Sequence, residues 1–393
     1  MPFNQARRDQ LGCGPKCIGS LTSASSLLRL IGAVVIGRLS DTIGRRSMLW
    51  LGLVGTALSL FISFTMDTLD GMWLAAIPSS LLNHNASVLK ALFADYAADA
   101  KLNDVDRVSA MGKLGMAVGA SFMVGPALST VLASSYQGAL RIAAVAACIS
   151  AIFFAMLPPV SASVTSSMAM AKLPKREPGS TQILSTLQNF FHLPVLKTGG
   201  ARLIIAIRLF AGLAFNIYQV LWQSSLKLRF AFGPSDYAIF AGVVGLSYAL
   251  SQGLVARELI RRSKGNPTAL ALCCVVLLGI GRPLALWTHD IRVVYVVFTF
   301  MVMALGVLNT LISSACANLA TGDELGGLFG FLDAVENVTG IIGPLLGGTL
   351  ASAAGPGATL AVVVGMYVLN FAIIALFYNT HVVLAQPAAK KFD

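Results

Sequence analysis

Charged residues are scarce in this chain of 393 residues, because Asp, Glu, Lys and Arg together make up only 11% of it. About a quarter of the residues in a soluble domain are charged, so this composition excludes an ordinary soluble globular fold. Hydrophobic residues make up 56% of the chain and are collected in long runs. A run of roughly 20 apolar residues can cross the hydrocarbon core of a bilayer as a helix. The composition therefore predicts an α-helical membrane protein.

The sequence also lacks the common motifs of catalysis and cofactor binding. It has no phosphate-binding loop, no H-E-x-x-H zinc motif, no dinucleotide-binding glycine pattern and no nucleophile elbow. We therefore predict no enzyme activity, no catalytic residues and no cofactor. Cys13 and Cys17 are closely spaced but have no second pair to complete a metal site, so we predict neither a metal site nor a disulfide framework.

Eleven apolar segments are long enough to be membrane spans. They are Leu21–Leu39, Ser47–Met66, Met72–Leu92, Met111–Leu132, Leu140–Leu157, Leu203–Trp222, Tyr237–Val255, Ala269–Trp287, Val293–Ala315, Phe331–Leu350 and Thr359–Tyr378. The formal net charge of +11 comes from basic residues concentrated in alternate loops. Positive charge marks the cytoplasmic loops of membrane proteins. The basic residues therefore indicate topology, and we predict no nucleic-acid partner.

The turn after the first span, from Gly37 to Arg46, combines a carboxylate with three arginines. The spacing of Gly37, Asp41, Gly44, Arg45 and Arg46 resembles the cytoplasmic loop signature between the second and third helices of the major facilitator superfamily. The resemblance implies that Gly37 allows close helix contact and that Gly44 turns the chain. It also implies that Asp41 caps a helix or pairs with an arginine, and that the two arginines help to close the cytoplasmic side.

The signature occurs a second time, as Gly253, Arg257, Arg261 and Arg262, at an offset of 216 residues. Internal duplication agrees with the family's fold, which is all-α with two pseudo-symmetric helical bundles. Asp95 and Arg107 bracket another cytoplasmic loop, and the resemblance implies that they bridge to the signature turn as part of a gate. The predicted regions are an N-terminal polar segment (1–20), a first bundle (21–157), a cytoplasmic linker (158–200), a second bundle (201–380) and a cytoplasmic tail (381–393).

In the family the signature loop follows two helices, whereas only one predicted span precedes it here. The chain therefore resembles a twelve-helix transporter that lacks its first helix and has about 11 of the 12. Two explanations stay open, an incomplete gene model or splice form, and a true protein of eleven spans.

A Gly-Pro pair occurs in both halves, as Gly125-Pro126 and Gly343-Pro344, at an offset of 218 residues. The first pair resembles the fifth-helix signature of the drug/proton antiporter branch, although the glycines that close that signature are missing. The order of Pro78, His84, Asp95, Arg107 and Gly125-Pro126 resembles the tetracycline-exporter-like group. Both pairs predict close helix packing or a role in gating.

Ionisable side chains inside a span are costly, so they are functional candidates. Glu336 suits proton coupling, and His84 is a candidate because free histidine titrates near neutral pH. Arg208, Asn216 and Gln219 are spaced to lie close to one helix face. The alternative for these residues is hydrogen bonding between packed helices. The candidates for a substrate or proton pathway are Arg29, His84, Arg208, Asn216, Gln219, Asn309 and Glu336.

Two functions agree with these features. The first is a secondary active transporter that moves a small organic solute by alternating access, with protons as the expected coupling ion. The second is a membrane receptor or assembly factor that uses the same scaffold without transport, or a truncated inactive form. We expect a multi-pass protein of the lipid bilayer, a small-molecule substrate and a monomer.

Overall fold

The computed structural model describes residues 2–99, 117, 120–121, 123–158, 198–263, 266–319 and 322–383, which form helices with no strand among them. This confirms the all-α prediction. In chain order the helices are α1 (Pro2–Gln10), α2 (Pro15–Thr42), α3 (Arg45–Thr65), α4 (Leu69–Leu82), α5 (Asn85–Asp99), α6 (Met123–Leu132), α7 (Tyr136–Met156), α8 (Gly199–Phe230), α9 (Pro234–Leu250), α10 (Ala256–Arg262), α11 (Pro267–Trp287), α12 (Ile291–Leu319), α13 (Gly322–Ala353) and α14 (Gly355–Ile373). Two π-helical segments, Ser251–Val255 and Ile374–Val383, continue α9 and α14.

Six helices among the described residues are long and apolar enough to cross a membrane. Helices suit this environment because they satisfy every backbone hydrogen bond internally. Side chains cap several of the free N-termini; the Ser135 hydroxyl, for example, accepts a hydrogen bond from the Gly138 amide at 3.1 Å. The six spans are Arg45–Thr65, Tyr136–Met156, Gly199–Phe230, Pro267–Trp287, Ile291–Cys316 and Gly355–Val383.

The predicted span Met72–Leu92 is not one continuous helix, so this prediction is wrong. The structure has two helices there, α4 and α5, separated at Asn83 and His84. The Asn83 side chain donates to the Thr56 hydroxyl at 2.9 Å and accepts from the Asn85 amide at 3.4 Å. Polar side chains that bond to nearby backbone groups compete with the helix. An apolar average over the segment concealed this local competition.

The described chain divides into two compact units. The N-terminal unit contains the described residues of 1–13, 24–177 and 233–242, and the C-terminal unit contains those of 14–23, 178–232 and 243–393. The bundle boundaries proposed from the sequence stay a prediction.

In the N-terminal unit, α3 packs against α4, α5 and α7. Its apolar core near the start of α3 contains buried residues from three helices, which are Ile36, Met48, Leu49, Val88 and Leu92. Gly44 precedes α3 with φ at 102°, a left-handed conformation that glycine adopts without strain. The chain therefore turns at Gly44 from α2 into α3.

In the C-terminal unit, α8 packs against α13 and α14, and α11 packs against α12 and α14. The aromatic side chains of Tyr218 and Trp222 are fully buried on α8. The Trp222 ring lies 4.2 Å from the Phe298 ring of α12, measured between centroids. Close aromatic packing of this kind fixes the position of α8, the helix that carries Arg208.

Cys13 and Cys17 are disulfide-bonded, whereas Cys148, Cys273, Cys274 and Cys316 are free thiols. The sequence analysis predicted no disulfide framework and did not identify these two bonded cysteines.

Candidate functional site

Three of the predicted pathway residues meet in the C-terminal unit. Arg208 on α8 donates one guanidinium nitrogen, Nη1, to the Asn309 side-chain oxygen on α12. Its other terminal nitrogen, Nη2, lies 2.5 Å from Oε2 of Glu336 on α13. Glu336 is the fifteenth of the 32 residues of α13, so the ion pair lies near the middle of that helix. Three helices are thus joined by one arginine.

Two residues that the sequence analysis missed extend this network. The Asn309 amide donates to the Tyr248 hydroxyl at 3.3 Å, and the Gln252 amide donates to the same hydroxyl at 2.7 Å. Tyr248 and Gln252 are four residues apart on the face of one predicted span, a spacing that was visible in the sequence. We call Arg208, Asn309, Glu336, Tyr248 and Gln252 the Arg208 network.

Accessibility differs along the ion pair. The Arg208 side chain is 23% exposed, whereas the Glu336 side chain is 59% exposed. A charged group at membrane depth faces the bundle interior or a water-filled cavity, because lipid contact is too costly. The carboxylate is therefore the more accessible end of the pair.

Asn216 and Gln219, which were predicted to share a face with Arg208, are not hydrogen-bonded to it. The Asn216 amide donates to the Gly212 carbonyl at 2.9 Å and reaches the buried Thr339 hydroxyl at 3.4 Å. Gln219 is partly buried on the same helix. The role of Asn216 and Gln219 in a substrate or proton pathway stays a prediction.

His84 and Arg29 lie in the N-terminal unit. His84 is half-buried at the break between α4 and α5, and its Nε2 atom is buried without a hydrogen-bond partner among the described residues. It packs against Gly32 of α2, where a Cβ atom would collide with the His84 ring. Arg29 is exposed to a small polar cavity, and a second arginine, Arg8 of α1, lines the same cavity.

Arg8 belongs to the polar N-terminal segment, and the sequence analysis did not select it. Burial lowers the pKa of the Arg8 guanidinium, while the nearby Tyr136 and Asp9 act in the opposite direction. An arginine starts from so high a pKa that it stays charged at neutral pH. A search limited to apolar spans could not find Arg8.

The first arginine turn is held by bonds to neighbouring groups. Arg45 donates to the Ser40 hydroxyl at 2.7 Å, and Arg46 donates to the Ala155 carbonyl at 2.6 Å. Ala155 is in the last turn of α7, so Arg46 links the start of α3 to the end of another helix.

The second arginine turn has local bonds. Arg261 and Arg262 both bind the Glu258 carboxylate within α10, at 2.7 and 2.5 Å. Gly253 lies in the π-helical segment, whereas its counterpart Gly37 lies in α2. The side chains of Asp41, Asp95 and Arg257, and all of Arg107, lie outside the described residues. The gate that these residues were expected to form stays a prediction.

The two Gly-Pro pairs have different surroundings. A Cβ atom on Gly343 would lie 2.5 Å from the Asn216 Cβ atom, so the absence of a side chain lets α13 approach α8. A Cβ atom on Gly125 would have no described atom within 4 Å. Gly343 is thus a packing residue, while Gly125 has no close packing partner in the described part of the chain.

A further missed residue is Arg282 in α11, which is only 3% exposed. Its guanidinium lies over the Tyr218 ring at 4.4 Å from the centroid, and Nη2 is 3.4 Å from the Tyr367 hydroxyl. Aromatic faces attract a cation, and this attraction offsets part of the cost of its burial. The sequence signal that could have identified Arg282 is a charged residue between Gly281 and Pro283 inside an apolar run.

Comparisons with known proteins identify the family of this chain. The sequence profile of the Major Facilitator Superfamily matches residues 1–321 and again residues 204–392. Human Solute carrier family 67 member A1 is 23% identical over 349 residues, which cover 87% of this chain and 79% of that protein. The class D tetracycline resistance protein of Salmonella ordonez is 25% identical over 341 residues, with 84% and 78% covered.

The fold is also found among solved structures. The crystal structure of the human organic anion transporter MFSD10 (TETRAN) superposes with a TM-score of 0.60 at 24% identity, covering 91% of this chain and 83% of that chain. The two profile matches together extend over nearly the whole sequence, and the helical architecture is shared. This chain is therefore an integral, multi-pass membrane protein that belongs to the major facilitator superfamily.

Proposed function

We propose that this protein is a secondary active transporter that moves a small organic solute by alternating access and couples the movement to protons. The observation that supports this proposal best is the ion pair between Arg208 and Glu336 near the middle of the helix that carries Glu336. Intramembrane ion pairs are costly, and in membrane proteins they mark ion and substrate pathways. A pair used only for packing would not need an accessible carboxylate.

The network suggests how a proton and a solute would be coupled. When Glu336 is ionised, it holds Arg208 through a charge-assisted hydrogen bond. When Glu336 takes up a proton, the attraction weakens and the guanidinium keeps only its bond to Asn309. Arg208 can then bind a polar or anionic group of a solute. Competition between carboxylate and solute for one arginine links the two binding events.

The names of the similar proteins suggest solutes to test. One similar protein is a tetracycline resistance protein, and a protein of similar fold is an organic anion transporter. An arginine that exchanges partners favours solutes with a carboxylate or another acidic group. The arginine turns, with Arg45 and Arg46 in one and Arg261 and Arg262 in the other, would control closure on the cytoplasmic side.

The proposal is tested with purified protein in liposomes that contain a pH-sensitive dye. Tetracycline and a panel of aromatic and aliphatic carboxylates are added outside at two pH values, and proton movement is recorded. We expect at least one solute to drive proton flux, and Glu336→Gln to reduce that flux at least tenfold. Solute exchange without net proton movement should persist in this variant, because the glutamine can still hydrogen-bond to Arg208.

Asp67→Asn is the matched control, because Asp67 also binds an arginine, Arg7, but lies between α3 and α4, outside the Arg208 network and the arginine turns. It should transport like the wild type. If Asp67→Asn and Glu336→Gln reduced proton flux equally, the coupling role of Glu336 would be wrong. If no solute of the panel moved and no proton flux arose in the wild type, the non-transporting receptor or assembly factor would be the better hypothesis.

A further inference from the structure

The N-terminal unit contains a polar cavity of about 160 Å³. Four helices line it, because α1, α2, α3 and α4 each contribute side chains. Its charged residues are Arg8 and Arg29, and hydroxyl groups make up much of the remaining polar surface. Among the lining residues that could donate hydrogen bonds are Asn4, Ser25, Ser59 and Ser63.

No carboxylate of the described residues lines this cavity, although two lie nearby. Asp67 is bound by Arg7, whose Nε atom lies 2.8 Å from Oδ1 of Asp67. Asp9 accepts hydrogen bonds from Gln5 at 3.3 Å and from Tyr237 at 2.8 Å. The anionic groups next to the cavity are thus already bound to other residues.

The two cavity arginines differ from Asp67 in that they lack ion-pair partners among the described residues. Within the described part of the chain, neither Arg8 nor Arg29 forms an ion pair, and the Nε atom of Arg8 is buried without a hydrogen-bond partner. A buried donor that lacks a partner is costly, and an unpaired charge is more costly still. Two guanidinium groups on one small cavity also repel each other.

An anion in the cavity would remove all three penalties. Guanidinium groups match the planar, two-oxygen geometry of carboxylate and phosphate. The cavity is smaller than the 300 Å³ or more that is typical of sites for drug-sized ligands, so its size favours a small ion. Serine hydroxyls can rotate to donate to any remaining oxygen atoms.

We propose that Arg8 and Arg29 form a binding site for a small oxyanion, a carboxylate or a phosphate, in the N-terminal unit. The site is distinct from the Arg208 network, which belongs to the C-terminal unit and already contains its own carboxylate. The proposal concerns binding alone, so it does not depend on whether the protein transports a solute.

The site is tested by measuring the thermal unfolding of the full-length protein, purified in detergent, in the presence of four salts. Sodium phosphate, sodium succinate, sodium chloride and choline chloride are compared at equal ionic strength. We expect a saturable rise in the unfolding temperature with phosphate or succinate, and no such rise with either chloride salt. The oxyanion that gives the larger rise shows whether the site prefers phosphate or carboxylate.

Variants then locate the effect. Arg8→Gln and Arg29→Gln should each weaken oxyanion binding by roughly tenfold or more, because each removes a charge-assisted hydrogen bond. Arg29→Lys keeps the charge and should recover part of the affinity. Arg7→Gln is the matched control, since it removes an equal charge from the same helix but not from the cavity. It should bind the oxyanion as the wild type does.

Failure of this proposal can be told apart from failure of the proposed function. Glu336→Gln should bind the oxyanion normally even if its proton coupling is lost. The site would be ruled out if no salt stabilised the wild type selectively, or if Arg8→Gln and Arg29→Gln kept the full response. It would also be ruled out if Arg7→Gln and Arg29→Gln lost the response equally. If Arg8→Gln does not fold, Arg29→Gln and Arg29→Lys carry the test.

Discussion

The two arginine turns repeat one sequence pattern, yet their arginines bind different partners. In the first turn, Arg46 of α3 binds the backbone carbonyl of Ala155 at the end of α7. In the second turn, Arg262 binds Glu258 within its own helix. An arginine that joins two helices holds their ends together, whereas an intrahelical pair supports only one turn. Duplication thus preserves the position of a residue more faithfully than its mechanical role.

The same contrast extends to the arginines inside the membrane. Arg208 in the C-terminal unit is bound to a carboxylate and to an amide, whereas Arg29 in the N-terminal unit has no ion-pair partner among the described residues. A paired arginine can serve as a switch, because a proton on the carboxylate changes its binding. An arginine without an ion-pair partner can bind an anion instead. The two proposals therefore assign proton chemistry to the C-terminal unit and anion binding to the N-terminal unit.

The largest effect is expected when Arg208 is replaced by lysine. Arg208 uses two nitrogens to reach two acceptors on different helices, and a single ammonium group lacks this fork geometry. We expect Arg208→Lys to reduce solute-driven proton flux about 100-fold, which corresponds to about 2.7 kcal/mol. The dye assay in liposomes described above measures this loss.

Arg7→Lys is the control, because Arg7 also binds a carboxylate, that of Asp67, but belongs neither to the Arg208 network nor to an arginine turn. Lysine keeps the charge that this single contact requires, so this variant should retain the flux of the wild type. Equal losses in the two variants would show that the position of Arg208 inside a span has no special importance.

The second effect compares the Gly-Pro pairs. Gly343→Ala places a Cβ atom 2.5 Å from the Asn216 Cβ atom, so α8 and α13 would have to separate. Overpacking of this kind typically costs 1–3 kcal/mol, and we expect a loss of about 2 kcal/mol in the free energy of unfolding. A Cβ atom at position 125 meets no described atom within 4 Å, so Gly125→Ala should change that free energy by no more than about 0.5 kcal/mol.

Thiol reactivity measures the destabilisation caused by Gly343→Ala. Cys274 and Cys316 are buried in the C-terminal unit, so once the exposed Cys148 and Cys273 are replaced by serine, a maleimide dye reacts only when the unit opens. Gly343→Ala should expose them at a lower temperature than in the wild type, and Gly125→Ala should not. Circular dichroism follows the unfolding of the whole chain in both variants. A larger effect from Gly125→Ala would overturn the contrast between the two pairs.

Much of the fold followed from the sequence because its signals are local and strong. Long apolar runs must be helical in lipid, and the two arginine turns and Gly-Pro pairs showed the duplication. The interruption at Asn83 was missed, because hydropathy averages over a window while a helix breaks at single residues. The same averaging concealed Arg282 inside a very apolar span.

The candidate site was predicted only in part. Arg208, Asn309 and Glu336 were found one by one, because each is polar inside a span. The bonds between them could not be predicted. Arg208 is separated from Asn309 by 101 positions and from Glu336 by 128 positions, so these side chains meet only through tertiary packing. Tyr248 was missed because a tyrosine in a span is usually a core residue. Arg8 was missed because it lies outside every span, although the fold brings it to Arg29.

The smallest effect is expected from substitutions in the two arginine turns. The carbonyl of Ala155 belongs to the last turn of α7, where carbonyl groups lack partners within the helix, and a positive charge there also favours the helix dipole. Arg46→Gln should therefore lower the free energy of unfolding by about 1 kcal/mol, and Arg262→Gln by less than about 0.5 kcal/mol. Hydrogen exchange locates the cause, since Arg46→Gln should speed exchange at the last amides of α7, whereas Arg262→Gln should leave them unchanged. If exchange rose only near Arg46 itself, the bond to Ala155 would not hold the two helix ends together, and the two turns would be mechanically alike.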